Sequence, residues 1–149
     1  MGIAEIMTRD PECAVPGDPI AKAASRMRHL NCGALPVVTD AASRRLVGIL
    51  TDRDIAVRCT AEGHDPGRCR VADHMTPDPL DLPPGASVDE LVDLMSRAQV
   101  RRVPVTEGPD RRVVGIVAVA DLVTRANRPD VALKVVARVS EPAPVALGE

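Results

Sequence analysis

Gly48-Ile49-Leu50-Thr51-Asp52-Arg53-Asp54 is an aliphatic run that ends in a polar step, and the same pattern returns as Gly115-Ile116-Val117-Ala118-Val119-Ala120-Asp121, 67 positions later. Upstream, Met7-Thr8 returns as Met75-Thr76 and Pro36-Val37 as Pro104-Val105, both 68 positions later. A change of one residue over a whole repeat is what one deletion in a surface loop leaves, so the chain reads as a tandem duplication. The period is too long for the short units that stack as arrays, and suits two small modules packed face to face. Two equivalent modules enclose two related clefts, the kind of place where small ligands bind.

Working outward, Leu46 to Leu50 and Val113 to Val117 are nearly unbroken aliphatic runs, the pattern of strands covered on both faces. Short apolar strands precede them at Ala34 to Thr39 and Arg102 to Thr106. Before these, Ile20, Ala23, Ala24, Met27 and Leu30 share one face at helical spacing, with Asp18 expected to cap and Pro19 to take the first helical position. In the second half Ser87 and Glu90 form a capping box ahead of the stripe Val88, Leu91, Val92 and Met95. Such stripes predict core packing. Proline-punctuated extended segments, Pro11 to Gly17 and Pro77 to Gly85, open the halves, and helices at Ile55 to Cys59 and Leu122 to Ala126 close them. The order strand, helix, strand, strand, helix occurs twice, which predicts an α/β chain of the α+β kind with two β-α-β-β-α repeats in pseudo-two-fold symmetry. The expected boundaries are 1–60 for the first repeat, 61–70 for a linker punctuated by Gly63, Pro66 and Gly67, and 71–128 for the second repeat. Residues 129–149 add a short helix over Val131 to Val139 and a frayed tail from Glu141.

Composition narrows the function classes. A chain of 149 residues suits one shared core, and a formal charge of −2 gives no overall field for nucleic acid or anionic membrane. With no aromatic residue, bases have no ring to stack on, so single-stranded nucleic acid is not an expected partner. No apolar run is long enough to cross a bilayer, and Met1-Gly2-Ile3-Ala4-Glu5 is not an export signal; a cytoplasmic protein with reduced Cys13, Cys32, Cys59 and Cys69 is expected.

The chemistry of the polar step follows from residue type. A glycine inside a buried strand leaves room for a ligand to approach the backbone closely. A helix N-terminus beyond it favours an anion. Thr51 offers a hydroxyl and Arg53 a charge to a phosphate, and Asp54 offers a carboxylate to ribose hydroxyls. The same residues also read as a plain helix cap, with Thr51 or Asp52 capping and Asp54 near the positive helix end. The second copy keeps only Asp121 of this polar set, Ala118 and Ala120 replacing the threonine and the arginine.

With the Met-Thr openings and the Pro-Val strands, these two segments resemble tandem CBS motifs, a Bateman module, over about residues 3 to 126, similar to the small stand-alone bacterial and archaeal members. That resemblance implies a regulatory, non-enzymatic module that binds an adenosine-containing ligand (AMP, ADP, ATP, NAD or S-adenosylmethionine) between the repeats, requires no other cofactor, forms a homodimer and passes occupancy to an effector protein. It also implies cross-repeat pockets. The main one joins Gly48, Ile49, Thr51, Arg53 and Asp54 to Leu80, Asp81, Leu82, Val100, Arg101, Arg102 and Val103. The second, weaker one joins Asp121 to Cys13, Ala14, Cys32, Gly33, Ala34 and Leu35.

Two rivals remain. Catalysis has little support, since there is no Gly-Lys pair for a P-loop, no dinucleotide glycine turn and no nucleophile elbow. A metal or redox switch has more, because Cys59, His64, Cys69 and His74 fall five residues apart through the linker and all are zinc-ligating types, although a Cys-x-x-Cys knuckle is missing. A dimerisation module with empty clefts is the third possibility.

Overall fold

The computed structural model describes residues 1–141; most of the expected tail, 142–149, lies outside the described residues. The elements run β1 (Thr8–Arg9), α1 (Ile20–Leu30), β2 (Ala34–Val38), β3 (Leu46–Thr51), α2 (Asp52–Asp54), α3 (Val71–His74), β4 (Thr76–Pro77), α4 (Val88–Ala98), β5 (Arg102–Glu107), β6 (Arg112–Ala118), α5 (Val119–Thr124) and α6 (Pro129–Val139). A 3-10 turn, Ile3–Glu5, precedes β1, and α2 widens into π-helical turns over Ile55–Thr60.

Local chemistry explains most of these boundaries. Ser87 and Glu90 form the expected capping box at α4, the serine hydroxyl accepting from the Glu90 N–H at 3.1 Å and the Glu90 carboxylate from the Ser87 N–H at 2.8 Å. At α1 the expectation fails. Pro19 takes the cap position without a side-chain hydrogen bond, and the Asp18 carboxylate instead accepts from the Val15 N–H and pairs with Lys22. Leu30, at the end of its stripe, is exposed because α1 turns away at Asn31, whose backbone is left-handed. The expected two-sided burial of β3 and β6 also fails: their residues alternate between buried and half-covered, and it is β2 that is buried along its whole length.

Two three-stranded antiparallel sheets result, ordered β2-β3-β4 and β1-β6-β5. Each repeat donates its opening strand to the other. Thr8 pairs with Ile116 across β1 and β6, and Thr76 pairs with Ile49 across β4 and β3. The proline-punctuated segments stay with their own repeats, Ala14 bridging to Val37 and Leu82 to Val105 in parallel. Between the sheets Arg45 bridges antiparallel to Arg112, its own counterpart, while the Leu46 N–H donates to the Arg111 carbonyl and the Val113 N–H to the Arg44 carbonyl. The pseudo-two-fold axis therefore passes between Arg45 and Arg112. Six of the seven left-handed non-glycine residues among those described obey it, Asp10, Asn31 and Arg44 matching Asp78, Gln99 and Arg111, with Asn127 the exception.

The cores follow the strand exchange. Ile3, Ile6 and Met7 pack with Leu91, Met95, Val103, Val117 and Leu122 of the second repeat, and α6 adds Val131, Ala132 and Val135. Conversely, Val71 joins Ile20, Met27, Leu35 and Leu50 of the first. Burial of Ile3 and Ile6 contributes about 1.5–3 kcal/mol each, enough to hold a two-residue strand in place. No helix among the described residues is long and apolar enough to cross a membrane.

Candidate functional site

The Thr51 to Asp54 corner forms where β3 runs out of its sheet. Its last residue, Thr51, still pairs with Ala34, and the next N–H, of Asp52, donates to the Gly33 carbonyl at 2.9 Å. The chain then turns under a reciprocal cap: the Asp54 N–H donates to Thr51 Oγ1 at 3.1 Å, and the Thr51 N–H donates to Asp54 Oδ2 at 2.9 Å. Asp54 is mostly buried, and its other oxygen faces Arg58 Nε at 3.7 Å. Arg58 in turn donates to the Met75 carbonyl at 3.5 Å, tying the corner to the strand that the second repeat donates.

The second corner keeps the frame and lacks the hydroxyl. Asp121 Oδ2 accepts from the Ala118 N–H at 2.8 Å, and Asp121 Oδ1 lies 3.5 Å from Arg125, which donates to the carbonyls of Met7 at 2.9 Å and Ile6 at 3.2 Å. Both aspartates thus occupy equivalent half-closed positions. Only the first is accompanied by a threonine.

Each corner lies beside its own repeat's strand start. Cys32, Gly33 and Ala34 adjoin Thr51 and Asp52, while Val119 donates to the Arg101 carbonyl beside Arg102. The second repeat also sends a long side chain to the first corner. A β-carbon built on Gly33 would stand 2.9 Å from Arg102 Nη2 and 3.0 Å from Asp52 Oδ2, so the guanidinium of the second repeat reaches the first corner. Arg53 is exposed beside it.

Other expected contacts lie elsewhere. Ala14, Leu35 and Val103 are core side chains closed to solvent. The room at Gly48 is filled by the Met75 thioether, with Met7 in the same place over Gly115, so that glycine admits protein and not ligand. Ile49 is half-covered on the outer face of β3, and Val100 packs partly against the second core. Asp81 accepts from Thr106 Oγ1 and from Arg111 Nε, and with Leu80 and Leu82 it lines a hollow of about 280 Å³ against α4 that includes no residue of the Thr51 corner. Arg101 borders a separate hollow of about 450 Å³ between α5 and α6, lined by Val119, Val123, Ala132 and Leu133. Cys13 is half-buried, and burial pushes its thiol up despite Arg44 and Arg26 nearby.

A different group converges near the linker. The donor atoms of Cys59, Cys69 and His74 all lie within 4.8 Å of one another. His74 is buried, and its Nε2 has no hydrogen-bond partner among the described residues. His64 stands next to it with ring centroids 5.4 Å apart, and burial followed by the neighbouring Cys69 raises the Cys59 thiol above its ordinary range.

Comparison with known proteins gives this geometry a family. The CBS domain model matches residues 3–59 and again 71–128. Protein YlbB of Bacillus subtilis is 40% identical over 120 residues, covering 80% of this chain and 78% of its own. A crystal structure of Hypoxic Response Protein I with two coordinated zinc ions superposes with a TM-score of 0.74 at 34% identity, covering 84% of this chain and 98% of that one. The CBS domain pair of protein MJ0100, in complex with 5'-methylthioadenosine and S-adenosyl-L-methionine, gives 0.71 at 30% identity, covering 82% and 96%. The duplicated sequence, the exchanged opening strands and these matches agree: the chain belongs to the CBS-domain family and carries two copies of the motif in tandem.

Proposed function

We propose that this chain is a regulatory, non-catalytic sensor of an adenosine-containing ligand, held at the Thr51 to Asp54 corner between the repeats. The observation that carries the reading is the arrival of Arg102, from the second repeat, at Gly33 and Asp52 beside that corner. A cation delivered by one repeat to a hydroxyl and carboxylate of the other suits a ligand with phosphate or carboxylate at one end and ribose at the other. MJ0100, bound to two adenosyl compounds, supports the ligand class.

Thr51 Oγ1 and the exposed Arg53 serve the anionic end, and Asp54 accepts from the ribose hydroxyls, exchanging its pairing with Arg58. Because Arg58 also holds the Met75 carbonyl, a ligand that engages Asp54 biases the contact between corner and donated strand. Occupancy then shifts the population of inter-repeat geometries that a homodimer presents to an effector. The Asp121 corner, without its threonine, is the weaker site.

The test is a thermal-shift screen with AMP, ADP, ATP, NAD, S-adenosylmethionine and 5'-methylthioadenosine, followed by calorimetry. A ligand at ~100 times its dissociation constant raises stability by about 2.7 kcal/mol. Asp54→Ala and Arg102→Ala abolish that gain, and Asp121→Ala leaves most of it. Absence of any shift makes the module a scaffold with empty clefts.

A further inference from the structure

The first core closes differently from the second. In the second repeat, Ala126 just past the closing helix α5 and Ile6 on the incoming segment are both part of the apolar core, and α6 packs over it. Their counterparts by the repeat spacing are Cys59 and His74. Here the place of an apolar pair is taken by a thiol and an imidazole, and the linker brings a second thiol, Cys69, to them. The structure leaves the imidazole unanswered: His74 is only 5% exposed, and its Nε2 has no partner among the described residues. An unpaired ring nitrogen buried against two sulfurs is a poor packing element and a good ligand.

We propose that Cys59, Cys69 and His74 bind one zinc ion, which clamps the inter-repeat linker onto the first core as α6 clamps the second. The donor atoms lie within 4.8 Å of one another. A tetrahedral zinc with sulfur at about 2.3 Å and nitrogen at about 2.0 Å sets its ligands about 3.4–3.8 Å apart, so side-chain rotations close the group without moving an element. Two sulfurs and one imidazole form a borderline-soft set suited to zinc and unsuited to magnesium or calcium. The fourth position falls to His64, beside His74, or to solvent. On binding, the two thiols release their protons to solvent and no electron is transferred. None of these residues is part of the nucleotide corner, so the clamp stands or falls independently of that reading.

The test uses the full chain, untagged, reduced and stripped of metal, titrated with Co²⁺ as a spectroscopic probe and then with Zn²⁺. One Co²⁺ per chain is expected, with sulfur-to-cobalt charge-transfer absorption and the visible bands of a tetrahedral site, and one equivalent of Zn²⁺ displaces it. Cys59→Ser and Cys69→Ser each cut the charge-transfer band to about half and weaken binding, and the double variant loses the band. His74→Ile, which copies Ile6 of the second repeat, keeps the fold by circular dichroism and binds no metal at stoichiometric concentration. The proposal is overturned if the reduced wild type takes up no Co²⁺, or if His74→Ile binds it as tightly as the wild type.

Discussion

The thioether of Met75 lies over Gly48 where a β-carbon would stand, and the Thr76 carbonyl lies 3.1 Å from the same point. Met7 and Thr8 repeat the arrangement over Gly115. Each donated strand is thus keyed by a methionine into a glycine of the sheet it joins. Gly48→Ala should cost about 1–3 kcal/mol in urea denaturation, because the added methyl meets both the Met75 thioether and the Thr76 carbonyl. In a Met75→Ala background the same substitution should cost less, and equal costs in both backgrounds would refute the keying.

Asp81 separates structure from ligand contact. Its carboxylate accepts from Thr106 and from Arg111, and Arg111 also donates to Asp78 at 2.7 Å and to the Pro79 carbonyl at 2.7 Å. The cluster holds the segment after β4 onto the β5-β6 turn. Asp81→Ala should lower stability by about 1–3 kcal/mol and leave adenosyl affinity unchanged, read by calorimetry. A tenfold loss of affinity at preserved stability would restore Asp81 to the ligand pocket.

Arg125 should matter more than its twin. It donates to two carbonyls of the opening segment at 2.9 and 3.2 Å, whereas Arg58, similarly exposed, reaches one carbonyl at 3.5 Å. Arg125→Ala should cost about 1.5–3 kcal/mol and Arg58→Ala about 0–1 kcal/mol. Amide exchange at Thr8 and Arg9 should accelerate in the first variant only.

Much of this architecture is legible in the residues. The stripes on α1 and α4 are long enough to show their period, and the aliphatic runs at β3 and β6 announce strands. The exchange of opening strands is not legible, because β1 and β4 are two residues long and carry no alternation. Gly48 misleads for a related reason: a glycine in a strand signals close approach, and sequence does not say of what. One hint was present, since Met7, Gly48 and their later copies persist together through the duplication. At the corner, cap and ligand contact demand the same threonine and aspartate, so pattern alone leaves them undivided. The linker cluster shows its spacing in sequence, but the orphaned nitrogen of His74 is visible only in three dimensions.

Acid should probe the β2-β3 turn. Asp40 accepts from the Ser43 N–H at 2.7 Å, and that bond, then the Ser43 hydroxyl, holds its carboxyl below the ordinary carboxylate range. A folded-state value below the unfolded one, near ~3.9, means the contribution is complete above that value and disappears as pH falls through the folded one. Melting temperature against pH should therefore decline less steeply at the acid end in Asp40→Asn. An unchanged acid limb would show that the turn does not depend on the carboxylate.

The two corners invite a reciprocal exchange. Thr51 completes a capping box with Asp54, while Ala118 leaves the equivalent Asp121 with half of one. Removing the hydroxyl in Thr51→Ala should cost about 0.5–2 kcal/mol, and supplying it in Ala118→Thr should recover part of that amount on the other side. If the threonine also serves a ligand, the two substitutions differ in a second way that capping does not predict. Thr51→Ala should then weaken adenosyl binding by more than the loss in stability explains, and Ala118→Thr should strengthen the second site, raising the calorimetric stoichiometry toward two per chain. A stability change in each variant with binding untouched would leave Thr51 as a cap alone and move the anion contact to Arg53 and Arg102.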